Sequence, residues 1–170
     1  MHFESLYFTD DGVIPNSRLP LLLYKHALDE QEEAMAAAME QLFARNGWIN
    51  SWRNGIYPFH HYHSNTHEVL GIYKGFALLQ LGGARGRKLM VQRGDILVIP
   101  AGVGHRQLED EGLGVVGAYP GGAEPDLLKG APGERPEADH HIAAVPLPEK
   151  DPYFGADGGL QLIWQVPAAR

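Results

Sequence analysis

No cysteine occurs in the 170 residues, which excludes disulfides, thiolate metal sites and thiol nucleophiles. No apolar run approaches the ~20 residues that carry a helix across a bilayer. Positive charge is scarce: 14 lysines and arginines stand against 21 aspartates and glutamates, a formal net charge of −7. That balance repels a polyphosphate partner unless a local patch overrides it, and Arg85-Gly86-Arg87-Lys88 is too short to do so. The first residues, Met1-His2-Phe3-Glu4-Ser5, lack the basic stretch and apolar core of a secretory signal. The expectation is a cytoplasmic protein with neither nucleic-acid nor membrane partners.

What the chain does have is histidine. There are nine, and His60, His61, His63 and His67 fall within eight positions. With 44% apolar residues, the length suits one domain over 1–170. Short strands are expected near Leu6–Phe8 and Leu21–Tyr24, separated by the turn Asp10-Asp11-Gly12. One helix follows, at about 29–46. Asp29 is its expected N-cap and Glu32 the capping-box partner, and Met35, Met39, Leu42 and Phe43 recur at helical spacing before Asn46-Gly47. Such a helix packs outside something larger.

From Trp48 onward glycine punctuates short apolar or alternating runs: Ile56–His63, Val69–Lys74, Phe76–Leu81, Lys88–Val91, Asp95–Ile99, His105–Leu108 and Val115–Tyr119. Gly82–Gly86 reads as a hairpin loop, and Glu109-Asp110-Glu111-Gly112 as a solvated turn. Many short strands with no helices between them argue an all-β, antiparallel sandwich or barrel with its core at about 48–120. The remainder, 121–170, reads as a proline- and glycine-rich loop that ends in a last strand, Leu160–Val166. No internal repeat is present.

In an extended segment His61 and His63 project to one face while His60 and Tyr62 project to the other. Two imidazoles spaced in this way make a bidentate metal site. Glu68, beyond a turn at Ser64-Asn65, can return to the same ion, and His105, after the turn Pro100–Gly104, can complete three imidazoles and a carboxylate if the two hairpins are neighbours.

These residues also carry a resemblance. Gly55, five residues, His61-x-His63, four residues, Glu68, six residues and Gly75 resemble the first motif of the cupin superfamily at every fixed position. Gly94, five residues, Pro100-x-Gly102, two residues and His105 resemble the second, with Glu109 in place of its asparagine. Tyr119-Pro120-Gly121-Gly122 and the early Asp-Asp-Gly further resemble bacterial single-domain cupins of the YjlB type. The resemblance implies a double-stranded β-helix, or jelly-roll barrel, holding one divalent transition-metal ion (Fe, Mn, Ni or Zn) on His61, His63, Glu68 and His105. Three neutral imidazoles and one carboxylate leave net charge +1 and open positions for a chelating substrate, alone or beside dioxygen. The implied function is a metal-dependent oxygenase or isomerase acting on a small oxygen-rich molecule. The alternative is a non-catalytic protein that binds a small ligand through its metal.

Other residues carry less. His63 and His67 are spaced as a helical zinc pair, but the second histidine of H-E-x-x-H is missing. His60 suits the outside of the barrel, His140-His141 a solvated pair, and His26 shows no pattern. Tyr57 and Phe59 share parity with His61 and are candidate pocket lining, with barrel core the plainer role. Gln107 and Glu109 share parity with His105 and are candidates for the pocket on that ground alone. Open sheet edges in such a barrel are covered most simply by a second copy, so a homodimer is expected.

Overall fold

In the computed structural model, which describes residues 2–165, two four-residue runs show how the sheet is built. Leu21-Leu22-Leu23-Tyr24 and Ile96-Leu97-Val98-Ile99 are buried throughout. A strand apolar on both sides must be covered on both sides. Leu22, Tyr24, Ile96 and Val98 join a cluster with Met35, Met39 and Phe43 of the helix, while Leu21, Leu23, Leu97 and Ile99 face the inner cluster with Leu70, Ile72 and Val115. Parity along these strands therefore separates an outer, helix-covered face from an inner one.

The strands are β1 (His2–Phe8), β2 (Ser17–Lys25), β3 (Trp48–Asn54), β4 (Glu68–Leu81), β5 (Arg87–Gln92), β6 (Ile96–Ile99) and β7 (His105–Pro120). They form one antiparallel sheet in the order β1-β2-β6-β4-β7-β3, with β5 on β4. This is a jelly-roll-like arrangement, bent around its inner cluster without closing. Helix α1 (Glu32–Arg45) lies outside it. No helix among the described residues is long and apolar enough to cross a membrane.

Several boundaries differ from the sequence reading. Val69–Lys74 and Phe76–Leu81 are one strand, β4, which bends at Gly75 (φ 71°). A side chain there would meet the Glu111 carbonyl at 2.3 Å, so only glycine passes. His105–Leu108 and Val115–Tyr119 are likewise one strand, β7, and Glu109–Gly112 is an exposed part of it, not a turn. Ile56–His63 is not a strand. It makes single bridges, His61 with His105 and Tyr62 with Leu128, and Pro58 offers no amide to a ladder. The strand on that side is Trp48–Asn54.

Asp29 does not cap α1. The amides of Ala27 and Leu28 are tied to the Gly94 carbonyl, which holds Asp29 short of the helix, and Gln31 stands at the N-cap without a side-chain bond. Glu32 and Glu33 still meet the positive end of the helix. The loop after Tyr119 contains a second helix, α2 (Glu137–Ala144). The expected last strand is instead a helical turn, α3 (Leu160–Ile163), and Val166 lies outside the described residues. Buried Asp151 explains the turn: it accepts the amides of Tyr153, Phe154 and Leu160 and the hydroxyl of Tyr24. Leu160 and Trp164, four apart, then both point into the core under α1.

Candidate metal centre

Three short pieces of chain converge at the inner mouth of the sheet. His61 and His105 exchange backbone hydrogen bonds (3.2 and 3.0 Å), which sets their rings 4.0 Å apart, centre to centre. The turn before β7 is fixed to the other histidine, with the Gly102 amide donating to the His63 carbonyl at 2.8 Å. Glu68 opens β4 on the inner parity of Leu70 and Ile72. All four side chains are buried.

Each of the three rings is anchored through Nδ1 to a backbone carbonyl: His61 to Phe59 (3.0 Å), His63 to Asp126, and His105 to Val103 (3.1 Å). A carbonyl only accepts, so each Nδ1 carries a proton and each Nε2 is the atom left to face the cluster. The three rings offer ligand atoms within 4.8 Å of one another. Glu68 Oε1 lies 3.3 Å from Nε2 of both His63 and His105. Neighbouring ligands on a six-coordinate ion sit about 3 Å apart when the bonds are near 2.1 Å, so the donor set fits a divalent transition metal. The tight cluster comprises the three imidazoles. Glu68 reaches two of them.

Electrostatics point the same way. Burial pushes His61 down to about 3, helped by the neighbouring His105, so that ring is neutral at pH 7. Burial also works against charge on His63 and Glu68, but each offsets the other: His63 is raised to about 9 and Glu68 is held far below the carboxylate range. The proton His63 holds against Glu68 is the one a bound cation would displace.

The four residues lie in a cavity of about 440 Å³ whose walls include Trp52, Ile56, Tyr57, Leu70, Tyr119 and Leu127. Of the candidate lining residues, Tyr57 is there, half-exposed at the rim and not in the core, with its ring edge-on to His61 at 5.1 Å. Phe59 stacks on Tyr57 from outside the lining. Gln107 and Glu109 are not in the cavity. Gln107 bonds Asp110, and Glu109 is exposed. A register shift between Leu78 and Leu79, opposite these two residues, breaks the parity that was to carry Glu109 inward.

Three contributors were not visible in the sequence. Tyr119 lies beside Glu68, its oxygen accepting from Trp52 Nε1 at 2.7 Å, and that indole packs where a side chain on Gly117 would be. Asp126 supplies the carbonyl for His63, and its carboxylate takes both the amide and the hydroxyl of Ser64. Leu127 closes one wall. Of these only Tyr119 carried a signal, its place on an expected strand. The others come from a loop with no periodicity. His60 does not line the cavity, and His140 and His141 are exposed on α2.

Among known proteins, YjlB of Bacillus subtilis (strain 168), an uncharacterized protein, is 44% identical over 163 residues, 95% of this chain and 96% of that one. No family model matches. Acireductone dioxygenase from Bacillus anthracis, with a cadmium ion in its active centre, superposes with a TM-score of 0.42 at 17% identity, over 62% of this chain and 80% of that one. Oxalate decarboxylase of Bacillus subtilis, with Mn(II) centres, gives 0.38 at 18%, over 65% of this chain and 28% of that one. A DUF861 family protein from Thermotoga maritima gives 0.34 at 21%, over 58% and 96%.

Proposed function

The chain belongs to the YjlB family of single-domain cupins, and from that starting point we propose that it is a metal-dependent enzyme, an oxygenase or isomerase of a small oxygen-bearing substrate, with a divalent ion on His61, His63, Glu68 and His105. One observation carries the reading: all three Nδ1 atoms are spent on backbone carbonyls, which leaves three Nε2 atoms facing one another in one buried cluster. Packing alone would not turn three rings alike. The donor set of three nitrogens and a carboxylate suits Fe, Mn, Ni and Zn. When bound, such an ion supplies Lewis-acid polarisation of a substrate hydroxyl or carbonyl.

The chain's own residues supply the rest. Glu68 offsets half the charge of a divalent ion. Tyr119 keeps its proton, because burial and then the Glu68 charge push its pKa upward. Since Trp52 already donates to its oxygen, Tyr119 can donate its own proton to Glu68 or to a substrate oxygen in the cavity, which makes it a hydrogen-bond donor and not a base. The non-catalytic reading has one observation in its favour: the carboxylate of Asp126, the other acid in the cavity wall, is already bound by Ser64. Loading the purified protein with Mn²⁺, Fe²⁺, Ni²⁺ or Zn²⁺ and screening enediols and hydroxyketones for dioxygen uptake or isomer formation separates the two readings. Turnover lost in His105→Ala supports the enzyme, and binding without turnover supports the alternative.

A further inference from the structure

The three Nδ1 anchors of the cluster differ in origin. His61 and His105 are held by carbonyls two residues back in their own turns, those of Phe59 and Val103. His63 is held by Asp126, 63 positions away. Its support is therefore the one that can be withdrawn without moving the ligand's own turn.

Asp126 belongs to a longer seam, in which residues 124–129 run antiparallel to 59–65. Lys129 lies over the Phe59 ring, 4.6 Å from its centre. Leu128 and Tyr62 exchange backbone hydrogen bonds at 2.9 and 3.0 Å. The Asp126 carboxylate takes the amide and the hydroxyl of Ser64. Asn65 donates to the Glu124 carbonyl at 2.8 Å and accepts the Asp126 amide at 3.0 Å. Neither run lies within a strand of the sheet. Glu134 locks the far end: its carboxylate accepts the Tyr62 hydroxyl at 2.8 Å and the amides of Lys129 and Gly130 at 3.0 and 2.9 Å. Helix α2 then packs Ala138 and Ile142 into a small satellite cluster with Tyr62, Leu128 and Ile14.

A seam of polar fastenings over a small apolar cluster opens locally at less cost than the core strands do. The other candidate ligands are tied to the sheet itself. Glu68 and His105 stand on β4 and β7, and His61 is bonded through its backbone to His105. An ion on buried ligands leaves when one of them turns away, and His63 cannot turn while Asp126 holds its ring. Conversely, an ion on His63 fixes the ring against which Asp126 docks. By linkage, the docked seam and the bound ion stabilise each other.

We propose that residues 124–144 form a strap whose undocking from 59–65 admits and releases the metal ion. Docked, the strap holds the His63 ring through the Asp126 carbonyl; undocked, it frees that ring. The inference rests on the metal-site reading above and concerns how the ion enters and leaves.

Two rates test it on full-length protein loaded with Zn²⁺, gel-filtered and checked for metal content. One is amide hydrogen exchange in peptides covering 126–130. The other is Zn²⁺ release to a chromogenic chelator, at concentrations where the rate no longer depends on the chelator. Glu134→Ala loosens the strap without touching a candidate ligand or the cavity wall. Strap exchange should accelerate about 10-fold, the effect of losing a charge-assisted hydrogen bond, and Zn²⁺ release should accelerate by the same factor. Glu134→Gln keeps an acceptor oxygen and should fall between the two, with both rates moved together. Exchange in β2 reports global stability and should stay unchanged; if Glu134→Ala raises it, the comparison is made on Glu134→Gln. In the native protein, removing Zn²⁺ should speed strap exchange by about 10-fold, as reciprocity requires. Protein that retains no Zn²⁺ overturns the metal-site reading, and the strap's role with it. Loaded protein overturns the strap alone if its exchange is indifferent to Zn²⁺ or to Glu134→Ala, or if it loosens while release keeps its native rate.

Discussion

His67 Nδ1 accepts the Ala101 amide proton at 2.9 Å, so this ring, next in sequence to Glu68, is fully engaged away from the metal cluster. Its Nε2–H donates to the Pro146 carbonyl at 3.2 Å, and its face lies against Trp164. Burial lowers its pKa to about 4 and keeps it neutral. His67 is on the outer parity of β4's start and is buried beneath the C-terminal segment, not in solvent. His67→Ala should therefore cost about 2–4 kcal/mol of stability, from a cavity and an unsatisfied amide, while leaving metal affinity nearly unchanged. Glu68→Gln should do the opposite and lower metal affinity about 10- to 100-fold. Thermal unfolding and Zn²⁺ calorimetry on both variants check the pair. Metal loss in the His67 variant alone would assign the fourth ligand wrongly.

Asp126 acts on the cluster from the loop after β7. Its carbonyl orients His63 and its carboxylate clamps Ser64, the residue that follows. Asp126→Ala keeps the carbonyl but releases the clamp. Metal affinity should fall about 10-fold, the usual cost of losing support behind a ligand. Ser64→Ala should fall less, because the Ser64 amide still reaches the carboxylate, and the double variant should show less than the sum. Full additivity would mean the two residues act independently.

The sheet and the outer helix were legible because each depends on local rules, alternation and helical spacing; the motif intervals grouped His61, His63, Glu68 and His105, which the fold brings together although the segment carrying His61 and His63 is not a strand. What was missed depends on contacts distant in sequence. The α3 turn exists because Asp151 and Tyr24, 127 positions apart, meet in the core. Glu109 was misplaced because a bulge opposite Leu78 and Leu79 shifted parity, and no residue type announces that shift. Tyr119, Trp52 and Asp126 enter the cavity only once β3 has paired with β7 and the following loop has folded back over Ser64.

The Tyr24–Asp151 pair predicts an alkaline transition. Burial, and then the Asp151 charge, raise the Tyr24 pKa above its ordinary value near 10. The folded state therefore holds a proton that the unfolded chain releases above pH 10. The stabilisation is complete below pH 10 and is lost as pH rises beyond it. Unfolding temperatures between pH 8 and 11 should fall more steeply for the native protein than for Tyr24→Phe, which should itself be about 1–2 kcal/mol less stable at pH 8. Parallel curves would place the alkaline loss elsewhere.

Strands β1 and β3 end the sheet, and Tyr7 on β1 is 68% exposed. Pairing of such an edge with a second copy covers it. Light scattering behind size exclusion at about 50 µM, where a typical specific interface is saturated, should give the mass of two chains. A single-chain mass at that concentration contradicts the dimer.

The central claim is that His61, His63, Glu68 and His105 hold one divalent ion, and elemental analysis after metal loading and gel filtration tests it most directly. The expected result is one ion per chain at pH 7.5. Occupancy should fall as pH drops and protons compete for the imidazoles, and it should be lost in the His61→Ala, His105→Ala double variant when circular dichroism shows that variant folded. A folded native protein that retains no ion, or a double variant that retains as much as the native chain, contradicts the account.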